Sequence, residues 1–274
     1  MPETTGPGAA PRPLIVSIYG LYARDGGGWL SVSLVIRLLA ELGVDEPAVR
    51  SAISRLKRRG LLVASRRDGV AGYALSDEAR EILAEGDAHI FDPQPAALAD
   101  GWLLVIFSVP ETERAKRHTL RSRLSALGFG AAAPGVWVAP AHRHDLTVIT
   151  LRRLGLESYV DLFRADYLAF TDIARAVEEW WDLGAIHKSY VEFIARWEGL
   201  GWRGSAEAFA DWVRLLTDWR RLPYLDPGLP PELLPADWPG VPAAELFHSL
   251  RAKLAGPAYD YVRLISAAFT STGG

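Results

Sequence analysis

The first ninety residues alternate apolar stretches with short polar and glycine-rich breaks. Leu14 to Tyr22 (LIVSIYGLY) reads as an apolar helix closed by Arg24-Asp25-Gly26-Gly27-Gly28. Leu34, Val35, Leu38, Leu39 and Leu42 recur at helical spacing; Ser31 or Ser33 can cap that helix, and Gly43 stops it. In VDEPAVRSAISRLKRRG, Asp45 is placed as an N-cap and Glu46 complements the positive helix start. Pro47 falls in the tolerant first turn, and Gly60 terminates. Leu61–Ser65 and Gly72–Leu75 are short strands around Arg66-Arg67-Asp68-Gly69, where Asp-Gly marks a hairpin turn. Another helix starts at Ser76-Asp77-Glu78 and runs toward Ile90. Three helices and a β-hairpin predict a winged helix-turn-helix over residues 13–91, after a tail at 1–12 expected to be disordered.

Asp92-Pro93-Gln94-Pro95-Ala96 opens a linker, 92–101. WLLVIFSV, from Trp102, is apolar enough for a strand buried on both faces. A helix over about 111–127 follows, then strand segments from Phe129 to Val138 broken by Pro134-Gly135. A helix over 145–154 and a strand near 159–170 complete a βαββαβ order, a ferredoxin-like domain at 102–170. Residues 171–274 read as all-α, expected to serve dimerisation and effector binding. They hold seven of the ten Trp and a proline-rich crossing. The fold class is therefore α+β and multidomain.

Composition narrows the chemistry. The chain of 274 residues is 49% hydrophobic, so a packed core is expected, and it contains no Cys, which excludes disulfides, thiol catalysis and thiolate metal sites. The start lacks a basic segment followed by an apolar run, and charges interrupt every candidate membrane span. The expected location is cytoplasmic and nucleoid-associated, with no membrane partner. Net charge is −3, yet of 30 basic residues only four are Lys. Arg suits bidentate recognition of phosphate and guanine, although a GC-rich genome gives the same bias. Arg50, Arg55, Lys57, Arg58, Arg59, Arg66 and Arg67 follow one another with no Asp or Glu from 50 to 67. The overall charge conceals a local positive patch.

The third helix carries the chemistry. At about 100° per residue, Val49, Ala52, Ile53 and Leu56 share an inward face. Arg50, Ser51, Ser54 and Arg55 are then placed to read base edges in a major groove. Lys57, Arg58, Arg59, Arg66 and Arg67 are placed near phosphates. The competing reading is a solvated helix with cations set against its negative end.

Other constellations have blander readings. His142-Arg143-His144-Asp145 holds ligand types for a metal, but Asp145 as a helix cap explains it better. Arg114, Lys116, Arg117, Arg121 and Arg123 admit a nucleic-acid contact or, more commonly, a solvated helix surface. Glu178, Glu179 and Asp182 read as ordinary surface. No nucleophile elbow, P-loop or dinucleotide fingerprint is present, so no catalytic residue, metal or cofactor is assigned.

Three passages resemble the phenylacetate-degradation transcriptional repressors, the PaaX family: LIVSIYGLYAR leading into EPAVRSAISRLKRRGLL, GWLLVIFSVPETERAKRHTLRSRLSALGFGAAAPGVWVAP, and RRLPYLDPGLPPELLPADWPGVPAAELFHSL. The resemblance spans about residues 13–270. It implies a homodimeric repressor on a double-stranded DNA operator, released by an aryl- or acyl-CoA thioester such as phenylacetyl-CoA, with Asp45–Arg59 as the DNA-reading helix. The resemblance identifies no effector-pocket residues. The middle domain is also similar to small CRISPR-associated nucleases, which hold metal with an Asp at the end of the first strand. Ser108-Val109-Pro110 stands there in this chain, and a neutral residue cannot supply that charge. A metal-dependent nuclease and a winged-helix protein-interaction adaptor are the alternative functions.

Overall fold

The computed structural model describes residues 10–24, 26–92, 96–168, 170–201 and 204–271. The expected tail therefore lies largely outside the described residues, as does the Pro93-Gln94-Pro95 part of the expected linker. Two compact units cut across chain order. One comprises Met1–Gly86, Trp197–Trp219 and Ala244–Gly274; the other comprises Asp87–Arg196 and Arg220–Ala243.

In the first unit the elements run α1 (Pro11–Tyr22), β1 (Trp29–Ser31), α2 (Val32–Ala40), α3 (Glu46–Arg58), β2 (Leu62–Arg67) and β3 (Val70–Leu75). α4 (Asp77–Phe91) begins in this unit. α1 starts at Pro11, earlier than the apolar run suggests, because proline is tolerated where a helix has no N–H acceptor to offer. Ser31 is the α2 cap: its hydroxyl accepts from the Leu34 N–H at 3.1 Å. The sheet order is β1-β3-β2, all antiparallel, with Leu62 opposite Leu75 and Arg67 opposite Val70.

The β2–β3 turn is Asp68-Gly69, both at positive φ (49° and 79°), the backbone of a two-residue hairpin matched to strand twist. β1 was not foreseen. It is three residues long, and Trp29 lies across Gly72 so closely that a Cβ there would meet the indole at 2.4 Å. Only glycine fits that close approach.

The core of this unit joins Leu14, Ile15 and Ile18 of α1, Val35, Leu38 and Leu39 of α2, and Val49, Ala52, Ile53 and Leu56 of α3. Two later helices complete it, α9 (Ser205–Trp219) and the part of α11 (Gly240–Ser271) from Ala244 onward. Phe209 of α9 packs its ring against Tyr22 at 5.8 Å and Tyr261 at 5.6 Å, while Trp219 stacks on Phe247 at 4.6 Å. Such aromatic pairs add about 0.5–1.5 kcal/mol each beyond the area they bury.

The second unit follows the expected βαββαβ order: β4 (Trp102–Phe107), α5 (Arg114–Ala126), β5 (Gly130–Ala133), β6 (Val136–Pro140), α6 (His144–Arg153) and β7 (Val160–Ala165). Its sheet order is β5-β6-β4-β7, antiparallel throughout, with Trp102 opposite both Pro140 and Ala165. Alternation along β4 sends Leu103 and Val105 to one face, where Leu120 and Leu124 of α5 and Leu151 of α6 cover them. Trp102 goes to the other face, against Val177 of α7 (Ile173–Trp180) and against Trp181 and Leu183 at the start of α8 (Leu183–Trp197). β4 is buried on both faces at its start, as its apolar run predicts, but Ile106 near its end is 40% exposed. At Gly130 a Cβ would meet the Trp180 carbonyl at 2.7 Å, so a side chain there would push α7 off the sheet. The short α10 (Leu222–Leu225) lies within the proline-rich crossing.

Candidate nucleic-acid interface

α3 forms because its ends are satisfied. The Asp45 carboxylate accepts from the Ala48 N–H at 2.7 Å, and Glu46 and Pro47 occupy the first turn. Val49, Ala52, Ile53 and Leu56 are no more than 2% exposed. That fixes the helix rotation, and Arg50, Ser51, Ser54, Arg55, Lys57, Arg58 and Arg59 are all exposed. The four positions placed for base reading and the three placed for phosphates share one solvent-facing surface.

Two of the arginines are already oriented. Arg50 donates from Nε to Glu46 Oε1 at 2.7 Å, within a one-turn ion pair. Arg55 donates to the Ser51 hydroxyl at 2.7 Å. An exposed pair one turn apart is worth only about 0.3–0.5 kcal/mol, so Arg50 is held against Glu46 only weakly. No described residue pairs with Lys57 or Arg58.

The hairpin arginines differ from each other. Arg66 donates to the Gly69 carbonyl at 3.1 Å near the tip. Arg67 donates to the carbonyls of Gly26 (2.6 Å) and Gly27 (3.1 Å), and its guanidinium stands over the Trp29 ring at 5.3 Å. Arg67 therefore ties the glycine-rich loop to the hairpin. Arg80 assists, donating to the carbonyls of Leu75 and Gly27 at 3.3 Å each.

Arg12 was missed from the sequence. It is exposed in the first turn of α1, and its pKa is lowered by partial burial and by the positive charges of Arg59 and Arg55. It enlarges the positive surface from a position more than forty residues upstream. Chain distance hid it, since only the α1–α3 packing brings the three cations together.

The His142–Asp145 segment does not have the role expected of Asp145. α6 begins at His144 with Arg143 as its cap residue, so Asp145 lies inside the first turn. It pairs with His144 Nδ1 at 2.8 Å and bonds no backbone N–H as a cap. The reason is Arg143, 4% exposed and pinned by carbonyls. It donates to Asp226 O at 2.7 Å, Pro227 O at 3.3 Å and Pro223 O at 3.4 Å, which sets the helix start one residue early.

Arg143 Nη1 also lies 2.8 Å from His89 Nε2 and 3.0 Å from Nδ1. Arginine has only donors, so that imidazole accepts and is neutral. Burial first, then the Arg143 charge, lower the pKa of His89 to about 4, and the same two causes lower His142 to about 4. The cluster is an internal brace. Among the described residues no three His, Asp or Glu converge to hold a metal.

At the end of β4, where the nuclease comparison needs an acid, Ser108 donates its backbone N–H to Tyr159 O. The nearby Glu113 is held by Lys116 at 2.7 Å and by the Tyr159 hydroxyl at 2.8 Å. In the acidic trio, Glu179 pairs with Arg175 and Asp182 accepts from the Ala185 N–H. A groove of about 370 Å³ runs along β4 and β7 between Trp102, Phe163 and Arg164. No described helix is long and apolar enough to cross a membrane.

Comparison with known proteins follows the same three stretches. Residues 10–79 match the model of PaaX-like protein, residues 95–177 that of the PaaX protein central Cas2-like domain, and residues 181–264 that of the PaaX-like protein C-terminal domain. The transcriptional repressor PaaX of Escherichia coli (strain K12) is 29% identical over 263 residues, covering 91% of this chain and 82% of that protein. The solved structure of an uncharacterized protein from Mycobacterium tuberculosis superposes with a TM-score of 0.57. It shares 24% identity and covers 92% of this chain and 99% of its own, a likeness of fold.

Proposed function

This chain belongs to the PaaX family, and on that premise we propose that it is a transcriptional repressor that reads a duplex DNA operator with α3. The observation that carries the reading is the exposed face of α3. Its inward rotation is fixed by four buried residues, and every polar side chain from Arg50 to Arg59 faces solvent.

α2, α3 and the β2–β3 hairpin take the roles of a winged helix-turn-helix. α3 enters the major groove, with Arg50, Ser51, Ser54 and Arg55 at base edges. Lys57, Arg58, Arg59 and Arg66 approach phosphates, joined by Arg12. Arg67 acts by holding the turn end of the hairpin to the Gly26–Gly27 loop. The strand order β5-β6-β4-β7 supports a ferredoxin-like middle domain, and the helices after it are proposed to serve dimerisation and effector binding. Two subunits then span half-sites about 34 Å apart on an inverted repeat.

A CoA thioester such as phenylacetyl-CoA releases the operator by preferring a conformation in which that spacing no longer fits. A few kcal/mol of differential affinity is sufficient. The chain acts as a non-enzymatic regulator in the cytoplasm, and no metal or cofactor is required.

Selection of bound fragments from a random duplex library by the full chain tests this. Enrichment of one inverted-repeat sequence is the expected result. Recovery of no preferred sequence overturns the reading and favours an adaptor role.

A further inference from the structure

The most unusual electrostatic surface outside α3 is α5. From Arg114 to Ala126 it contains Arg114, Lys116, Arg117, His118, Arg121 and Arg123 and no acid. Several exposed cations on other helices are balanced within a turn by carboxylates, as in Arg37–Glu41, Arg175–Glu179 and Lys188–Glu192. On α5 the two preceding acids are both consumed, Glu111 by Arg117 at 2.9 Å and Glu113 by Lys116 at 2.7 Å. Among the described residues no carboxylate pairs with Arg114, Arg121 or Arg123, and all three are exposed.

Their arrangement is ordered. Leu120 and Leu124 are fully buried and set the inward face. At about 100° per residue, Ala115, Ser122 and Ala126 then lie along the outward centre, all exposed. Arg114, His118 and Arg121 border that strip on one side, Lys116 and Arg123 on the other. A narrow centre of small side chains lets the helix come close to a flat or grooved anion, with cations reaching past it on both flanks. Arg114 to Arg121 covers about 10 Å along the helix, the axial rise of about three phosphates in one DNA strand.

We infer that α5 is a second, sequence-independent contact for the phosphate backbone of duplex DNA. The inference rests on the DNA-binding reading of the chain but on none of the α3 residues. Arginines without carboxylate partners on both flanks of one helix add their positive potential there, which a phosphate row neutralises, and each phosphate neutralised releases condensed counterions.

The full chain is titrated against a 40-base-pair duplex of arbitrary sequence, by fluorescence anisotropy at 50–300 mM KCl. R114Q/R121Q/R123Q is compared with the α3 variant R58Q/R59Q. The expected result is that the α5 variant binds more weakly at every salt concentration and its log–log salt slope falls by about 2–3, while its thermal midpoint is unchanged. If the α5 variant keeps the wild-type affinity and slope while the α3 variant weakens, α5 is a solvated surface and the inference fails alone. If the wild-type chain binds no duplex at any salt, the inference and the repressor reading fail together. Tighter binding to an RNA duplex of equal length than to DNA overturns the assignment to DNA.

Discussion

Ser17 of α1 and Thr217 of α9 share a buried hydrogen bond of 2.7 Å across 200 residues of sequence. Thr217 donates its own proton to the Val213 carbonyl at 2.6 Å, so Ser17 is the donor in the pair. Nearby, Tyr261 of α11 donates to Glu41 at 2.7 Å, and Glu41 also pairs with Arg37 of α2. The unit that presents α3 is thus built from both ends of the chain.

Thr217→Val removes the acceptor and leaves the Ser17 hydroxyl buried without a partner. A loss of about 1–3 kcal/mol in urea unfolding of the first unit is expected. Ser17→Ala costs about 1 kcal/mol, because Thr217 keeps its carbonyl. In the double variant the coupling appears as a smaller loss than the two singles added together.

Arg66 and Arg67 adjoin in sequence but are expected to behave differently. Arg66→Ala leaves thermal stability unchanged, weakens all duplexes alike and reduces the salt slope by about 1. Arg67→Ala frees the Gly26 carbonyl and the Trp29 face, leaves the Gly27 carbonyl to Arg80 alone, and lowers the thermal midpoint measurably. Paired calorimetric melts and anisotropy titrations separate the two effects.

Arg12→Gln extends the logic to the residue that sequence reasoning overlooked. It is expected to reduce affinity for specific and arbitrary duplexes by the same factor, leaving their ratio intact. A changed ratio in competition binding would instead place Arg12 at a base edge.

Stability should fall on mild acidification. His89 and His142 have folded pKa values of about 4, below the unfolded value of about 6.5. The neutral rings thus favour the fold fully above pH 6.5, and that contribution is lost as pH drops toward 4. Thermal melts from pH 7.5 to 4 should show the decline. His142→Asn should flatten it, since the variant has one fewer proton to take up.

Legibility followed the range of the interactions. The Asp45 cap, the Asp68-Gly69 turn, the inward face of α3 and the βαββαβ order are set by neighbours within a few residues, and the sequence displays them. β1 was invisible because three residues carry no period; it exists through pairing with β3 and the Trp29–Gly72 fit. Asp145 reads as a cap from sequence, yet Arg143 moves the helix start through acceptors about eighty residues away. The exposed face of α3 was legible, but the tethering of Arg67 and the approach of Arg12 were not. Each depends on where a long side chain lands after packing.

The most direct measurement is the ratio of affinities of the full chain for its selected operator and for a scrambled duplex, at 150 mM KCl, with and without Arg50→Ala. Loss of one bidentate arginine contact should lower that ratio by about 5- to 150-fold, corresponding to 1–3 kcal/mol, while the scrambled duplex is bound nearly as before. An unchanged ratio would contradict the claim that α3 reads the operator.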